Sequence, residues 1–223
     1  MKIRHISDTH GYHEGLVIED DIDILIHSGD CTTDKNPIIN QLEFDAFFKW
    51  FKNLKVKHKV LIAGNHDWWA LKLYNKLALK EAGIIYLEHD YETVEGLLIF
   101  GSPFTPNFGN WHFMKNPEKL SRFWEVLIPG IDILVTHGPP KGQLDLSHDR
   151  DGNLDYCGDG ALLKSVFLNE PKYHLFGHIH DSDGCFNYGV KTIDRKTTFI
   201  NSALVRDGKP HLGVVHQGHT IHL

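Results

Sequence analysis

The sequence predicts an α/β protein with a mixed sheet, and three observations predict it. Short apolar runs recur, and each stops abruptly at polar residues, as buried strands do where they enter loops. Stretches of helical periodicity separate the early runs, so strand and helix alternate. From about residue 185 onward the pattern changes to short runs broken by turn signals, which reads as hairpins.

In chain order, "KIRHI" is the first strand and ends in "SDTHG"; "IDILIH" is the second and ends in "SGD". The helix "NQLEFDAFFKWFKNL" carries Leu42, Phe47, Phe51 and Leu54 at helical spacing, and Phe47, Trp50 and Phe51 are expected in the core. The strand "KVLIA" runs into "GNHD", after which "WWALKLYNKLALKEAG" reads as one helix with Leu73, Leu77 and Ala78 on a face and a stop at Gly83. Of Trp68 and Trp69, one is expected to pack, leaving a pocket-wall role open for the other. The strands "DILVT" and "YHLF" run into "HGPP" and "GHIH", "PEKLSRFWEVL" and "GDGALLKSVFLNE" supply later helices, and "RDGKP" and "HQGHT" are turns. No linker or repeat divides the chain, so residues 1–223 read as one domain.

Composition narrows the function. The net charge of −6 argues against a nucleic-acid footprint, and the densest basic run, "KNLKVKHK", reads as the solvated approach to a strand. Cys31, Cys157 and Cys185 lack paired spacing, which suits a reducing compartment and argues against a thiolate metal site. The amino terminus enters a strand without a signal-like apolar region, and no run nears the ~18 apolar residues of a membrane span. A soluble, cytoplasmic protein with no membrane partner is therefore expected.

The chemistry sits just past the carboxyl ends of five strands: Asp8 and His10, then Asp30, then Asn65 and His66, then His137, then His178 and His180. Strand ends on one side of an α/β sheet converge on a crevice, so residues distant in sequence meet there. His178 and His180, at i and i+2, point the same way if the strand continues, although a turn after Gly177 would reorient them. Asp8, His10, Asp30, Asn65, His137, His178 and His180 offer seven donors. They are too many for one open tetrahedral zinc and enough for two metals sharing a carboxylate. Paired cations clamp the oxygens of an in-line displacement at phosphorus, so a phosphate ester is the expected substrate.

The ordered blocks "DTH", "GD", "GNHD", "THGPP" and "GHIH" resemble the calcineurin-like metallophosphoesterases, whose pattern is D-x-H, G-D, G-N-H-D/E, H and G-H-x-H. The resemblance runs from residue 8 to 180. "THGPP", "FGHIH" and "TTFINSA" look most like the small metallophosphoesterase-domain-containing phosphodiesterases, a group with bacterial, phage and animal brain members. The resemblance implies a four-layer α/β/β/α sandwich with two mixed sheets. It also implies a dinuclear phosphodiesterase that acts on small phosphodiesters, such as cyclic nucleotides, by attack of a metal-activated hydroxide. Asp8, His10 and His180 would hold one metal, Asn65, His137 and His178 the other, and Asp30 would bridge. Manganese is the expected ion, with iron, zinc, cobalt, nickel and magnesium also compatible. His66 would lie near the leaving oxygen as proton donor or electrostatic stabiliser, and Asn65 and His66 would contact substrate.

One block departs from the protein phosphatases of that superfamily, which continue G-D as GDxxDRG: here the chain reads "GDCTTDK", with Thr33 in place of the Asp, and Lys35 does not restore an arginine fork. That lowers a protein phosphatase reading and suits a diester, which carries less charge than a monoester dianion. A phosphomonoesterase or nucleotidase is the runner-up, followed by a nuclease and a non-catalytic metal-binding scaffold. Arg150, in "SHDRDGNLDYCGDG", is a candidate substrate contact. Asp67 is expected to cap the helix at Trp68 rather than orient His66. His5, His27, His211, His216, His219 and His222 read as structural or surface residues; two others are left open, His13 as a candidate for the cleft rim near "DTH" and His112 in an aromatic loop, "FGNWHFM", that is a candidate flank of the cleft.

Overall fold

The computed structural model describes residues 1–149, 151–193, 196–207 and 213–223. The first sheet is built from β1 (Lys2–Ile6), β2 (Ile24–Ser28), β3 (His58–Ile62) and β4 (Ile84–Tyr86). β5 (Asp90–Val94) and β6 (Leu97–Ser102) open the second sheet, and β7 (Thr105–Pro106) and β8 (Met114–Lys115) pair as a short ribbon. β9 (Ile133–Thr136) precedes a hairpin of β10 (Leu146–His148) and β11 (Leu154–Tyr156), and β12 (Tyr173–Phe176), β13 (Gly189–Ile193), β14 (Thr197–Asn201) and β15 (His219–His222) complete the strands. The helices are α1 (Pro37–Asn53), α2 (Leu73–Glu81), α3 (Pro117–Phe123) and α4 (Gly160–Asn169).

Both sheets are mixed. The first has the order β15-β1-β2-β3-β4, parallel except where β15 runs against β1; the second has the order β13-β14-β12-β9-β6-β5, antiparallel only at its two ends. The period of two along each strand sorts the core into layers. Ile24, Ile26, Val60 and Ile62 face Ile99, Ile133, Val135 and Leu175 between the sheets, while Leu25 and Leu61 pack outward against Phe44, Phe47 and Phe51 of α1. On the far side Phe100, Leu134, Phe176 and Phe199 pack against Leu120, Trp124, Leu162 and Val166. The result is the expected four-layer α/β/β/α sandwich.

α1 starts three residues before the expected segment because Pro37 occupies its first position and the Asn36 side chain accepts from the main-chain N–H groups of Ile38 and Ile39. Its buried face is Asn40, Phe44, Phe47 and Phe51, each apolar member contributing roughly 1.5–3 kcal/mol. Leu42 lies off that stripe and is exposed. The expected single helix over 68–83 is two pieces, a 3-10 turn over Trp68–Leu71 and then α2, separated by extended Lys72. Leu73 and Leu77 are exposed there, and Asn75 and Leu79 take the buried positions instead. Among the described late residues β13 pairs antiparallel with β14, whereas β15 returns to pair with β1. The expected turn "RDGKP" falls mostly outside the described residues, as do Arg150 and His211.

Ser7 ties the two sheets together where they approach: its N–H donates to Ser202 O and its carbonyl accepts from Leu204 N. The carboxyl end of β1 is thereby held against that of β14, and His137 Nδ1, 2.9 Å from Ser28 O, joins the end of β9 to that of β2, which sets the position of the crevice.

Candidate metal centre

The residues after those strand ends do meet. β12 stops at Phe176, and His178 adopts a left-handed φ of 67°, so the turn rather than the strand determines where the two histidines point. His178 joins Asp30 and His137, and His180 joins Asp8 and His10; the donor atoms within each group lie within 4.8 Å of one another, close enough for either group to hold a metal ion. Asp8, His10 and Asp30 also have positive φ, of 55°, 42° and 57°. Each such residue costs roughly 1–3 kcal/mol, and clusters of them mark functional sites. Gly64 and Gly177 permit the close approach of the strand ends: a methyl group on Gly64 would overlap Asp30 Oδ1, and one on Gly177 would overlap Asp8 Oδ2.

A shared orientation runs through the imidazoles. His10 Nδ1 lies 3.1 Å from Thr32 O, His137 Nδ1 2.9 Å from Ser28 O, and His180 Nδ1 2.6 Å from Asp207 Oδ1. Each ring donates outward from Nδ1, which turns its Nε2 into the centre. His180 Nε2 is 3.1 Å from Asp8 Oδ1, and His137 Nε2 is 3.0 Å from Asn65 Oδ1 and 3.3 Å from Asp30 Oδ2. His10 Nε2 is buried with no hydrogen-bond partner, 3.9 Å from Asp8 Oδ1 and 3.9 Å from Asp30 Oδ2. Asp30 Oδ2 therefore stands between the two groups, while Asp30 Oδ1 accepts from His66 N at 2.7 Å. An orphaned imidazole nitrogen aimed at two buried carboxylates, in a set of oxygen and imidazole donors without thiols, fits a pair of divalent cations.

The electrostatics are consistent with that demand for positive charge. Burial opposes ionisation of Asp8 and Asp30, yet the surrounding imidazoles, His180 and His137 foremost, hold both well below the usual carboxylate range. Burial likewise opposes charge on His137 and His180, but Asp30 holds His137 up to about 9, and Asp207 and Asp8 hold His180 up to about 10. For His10 and His178 burial wins, lowering them to about 4 and about 3.

His66 lies beside this centre, its ring 5.0 Å from that of His10, and its Nδ1–H donates to Thr33 O at 2.7 Å. Asp67 is neither its partner nor a side-chain cap. Buried at the start of the 3-10 turn, the Asp67 carboxylate accepts instead from the main-chain N–H groups of Asp30, Thr32 and Gly64 and from the Thr32 hydroxyl, so it shapes the loop that presents Asp30. Cys31, also buried, donates its thiol to Asp67.

A cleft of about 620 Å³ opens over Asp30, Asn65, His66, His178 and His180. The sequence did not single out two residues that line it: Trp111, whose ring is 4.0 Å from that of His66, and Phe108, 5.2 Å from His178. Both belong to the aromatic loop flagged through His112, but His112 itself stacks on Trp68, and its main-chain N–H donates to Asn65 O. Trp69 packs on Phe44 in the core, and Trp68 does not line the cleft. His13 is buried against Phe47 and Trp50. His5 and His27 sit inside the fold, bonded to Ser28 and Thr9.

Comparison with known proteins gives a consistent picture. Residues 1–182 match the family model for calcineurin-like phosphoesterases. Human metallophosphoesterase domain-containing protein 1 is 32% identical over 224 residues, covering 89% of this chain and 64% of the human protein; the chain thus spans a little under two thirds of that relative. A UPF0046 protein of Caenorhabditis elegans is 36% identical over 219 residues, covering 89% of this chain and 73% of its own length. Among solved structures, phosphopantetheinyl hydrolase of Mycobacterium tuberculosis shares the fold with a TM-score of 0.58 at 16% identity, over 90% of this chain and 88% of that one.

Proposed function

The chain belongs to the calcineurin-like phosphoesterase family, and from that premise we propose that it is a phosphodiesterase dependent on two divalent metal ions, manganese first among them, acting on small phosphodiesters such as cyclic nucleotides. The observation that carries this reading is the pair of donor groups flanking Asp30 Oδ2. Asp8, His10 and His180 would hold one cation, Asn65, His137 and His178 the other, and Asp30 both. The cations would supply Lewis acidity, acidifying water and drawing charge from the phosphoryl oxygens. His66 has its Nδ1–H fixed on Thr33 O, so the proton it can give to a leaving oxygen is the one on Nε2.

Diester preference is supported by the lining of the cleft. Among its described residues there is no Lys or Arg to grip a dianion, and Asp149, Asp155 and Asp207 lie on its rim. Arg150 remains part of the proposal as a substrate contact. A single folding unit over 1–223 is supported by β15 pairing with β1, and a cytoplasmic setting by three free thiols. Among the described residues no helix is long and apolar enough to cross a membrane.

The test is metal analysis with a substrate panel on one manganese-reconstituted preparation. The expected outcome is two ions per chain, chelation abolishing hydrolysis, and a p-nitrophenyl diester cleaved in preference to p-nitrophenyl phosphate. Full activity with one ion sinks the dinuclear reading, and preference for the monoester at equal metal content hands the assignment to a phosphomonoesterase.

A further inference from the structure

We propose that Asp207 is a positioning residue of the metal centre, fixing the tautomer and direction of His180; this rests on the ligand roles proposed above. Asp207 lies beyond the 1–182 match to the family model, so the inference assigns part of the centre to the chain's last segment. His10 and His137 are anchored at Nδ1 by main-chain carbonyls, which any sequence supplies. His180 is anchored by a side-chain carboxylate, 2.6 Å from Nδ1, while its Nε2 faces Asp8 Oδ1 at 3.1 Å. A carboxylate acceptor holds an imidazole N–H more strongly than a carbonyl does and makes the opposite nitrogen a better donor to a cation.

An exposed carboxylate beside a histidine is ordinarily a weak pair. Here the partner ring is 13% exposed and held from both sides, and the main chain that carries the Asp207 carboxylate is tied down as well. Asp207 N donates to Asp181 O at 2.8 Å, and Asp181 Oδ1 accepts from the N–H groups of Asn187 and Tyr188 while its Oδ2 faces His216 Nε2 at 3.0 Å. Asn187 then donates its side-chain amide to His180 O at 3.0 Å. Both ends of His180 are thus braced through one short network.

The experiment is calorimetric titration of Mn2+ into metal-free wild type, Asp207→Ala, Asp207→Asn and His180→Ala, with circular dichroism as the control for folding. Asp207→Ala is expected to weaken one of the two binding events by roughly 10–100-fold and leave the other unchanged. Asp207→Asn, which keeps an acceptor but loses the charge, should fall between, and serves alone if the alanine variant does not fold. Hydrolysis by either variant should recover when Mn2+ is raised to saturation. If His180→Ala loses one binding event and the Asp207 variants lose none, Asp207 does not position the ligand. If His180→Ala itself binds two ions as wild type does, the proposed ligand set is wrong, and the role of Asp207 falls with it.

Discussion

His66 is the residue on which chemistry and architecture meet most directly. Its Nδ1–H is held by Thr33 O, and its ring leans on Trp111, whose centroid is also approached to 3.5 Å by Lys35 Nζ. Trp111 is therefore engaged by two protein groups, whereas Phe108 is 53% exposed and presents an open ring to the cleft. The expected consequence is coupling between His66 and Trp111. His66→Ala should slow hydrolysis of an alkyl diester by roughly 10²–10⁴-fold with both metals retained, and by less for a p-nitrophenyl diester, whose leaving group needs no proton. Trp111→Ala should produce a smaller loss that vanishes in the His66→Ala background, as measured by kcat/KM in a double-mutant cycle. Additive losses would place Trp111 on the substrate instead. The block "GNHD" made His66 legible in the sequence. Trp111 was not, because it reaches the site through a loop tied to Asn65 by the main chain of His112, and a main-chain bond leaves no side-chain pattern to read.

At the scale of elements, each strand that brings a candidate ligand must end in a loop with room for the carboxylate of its neighbour. Gly177 provides that room between β12 and β1. Gly177→Ala places a methyl group against Asp8 Oδ2 and the Ser7 side chain, so the strand ends must separate. It should destabilise by roughly 1–3 kcal/mol in urea unfolding and weaken metal binding in the same protein. Gly160→Ala, at the first position of α4 where a methyl group meets nothing, should leave both unchanged. A neutral Gly177→Ala would show that the strand ends are not clamped together as described. The strands themselves were legible because two-sided burial requires unbroken apolar runs. The break at Lys72 was not, since what holds it is tertiary: Asn40 Oδ1 accepts from Trp69 N, and the Asn75 amide donates to Trp69 O. Leu73 and Leu77 continue the apolar spacing past the break without facing the core, which made two elements look like one.

Across the whole molecule, layering buries polar groups that an alternating strand pattern cannot distinguish from surface ones, and His174 makes that burial measurable. It lies in β12 between Phe176 and Phe199, fully buried, with His5 as its titratable neighbour. The Thr136 hydroxyl gives its one proton to Gly138 O at 2.6 Å, so His174 must donate from Nε2 to Thr136 Oγ1, and its Nδ1 is left buried without a partner. Protonation would bury an N–H⁺ with no acceptor, and burial alone lowers His174 to about 3. The folded protein then takes up no second proton on His174 above about pH 3, while in the unfolded chain the ring takes one up below about 6.5. Acid therefore favours the unfolded state: the full stability is present above about pH 6.5 and is lost progressively down to about pH 3, at about 1.4 kcal/mol per pH unit. Carboxylates and the histidines of the centre add their own acid dependence, so the expected result is a difference between proteins. His174→Leu leaves the Thr136 proton on Gly138 and removes the titrating ring. Urea unfolding of the metal-free proteins at pH 7 and pH 5 should show wild type losing about 2 kcal/mol more than the leucine variant over that interval. Equal losses would mean that His174 picks up its proton in the folded state, and that this layer of the sandwich is open enough to admit one.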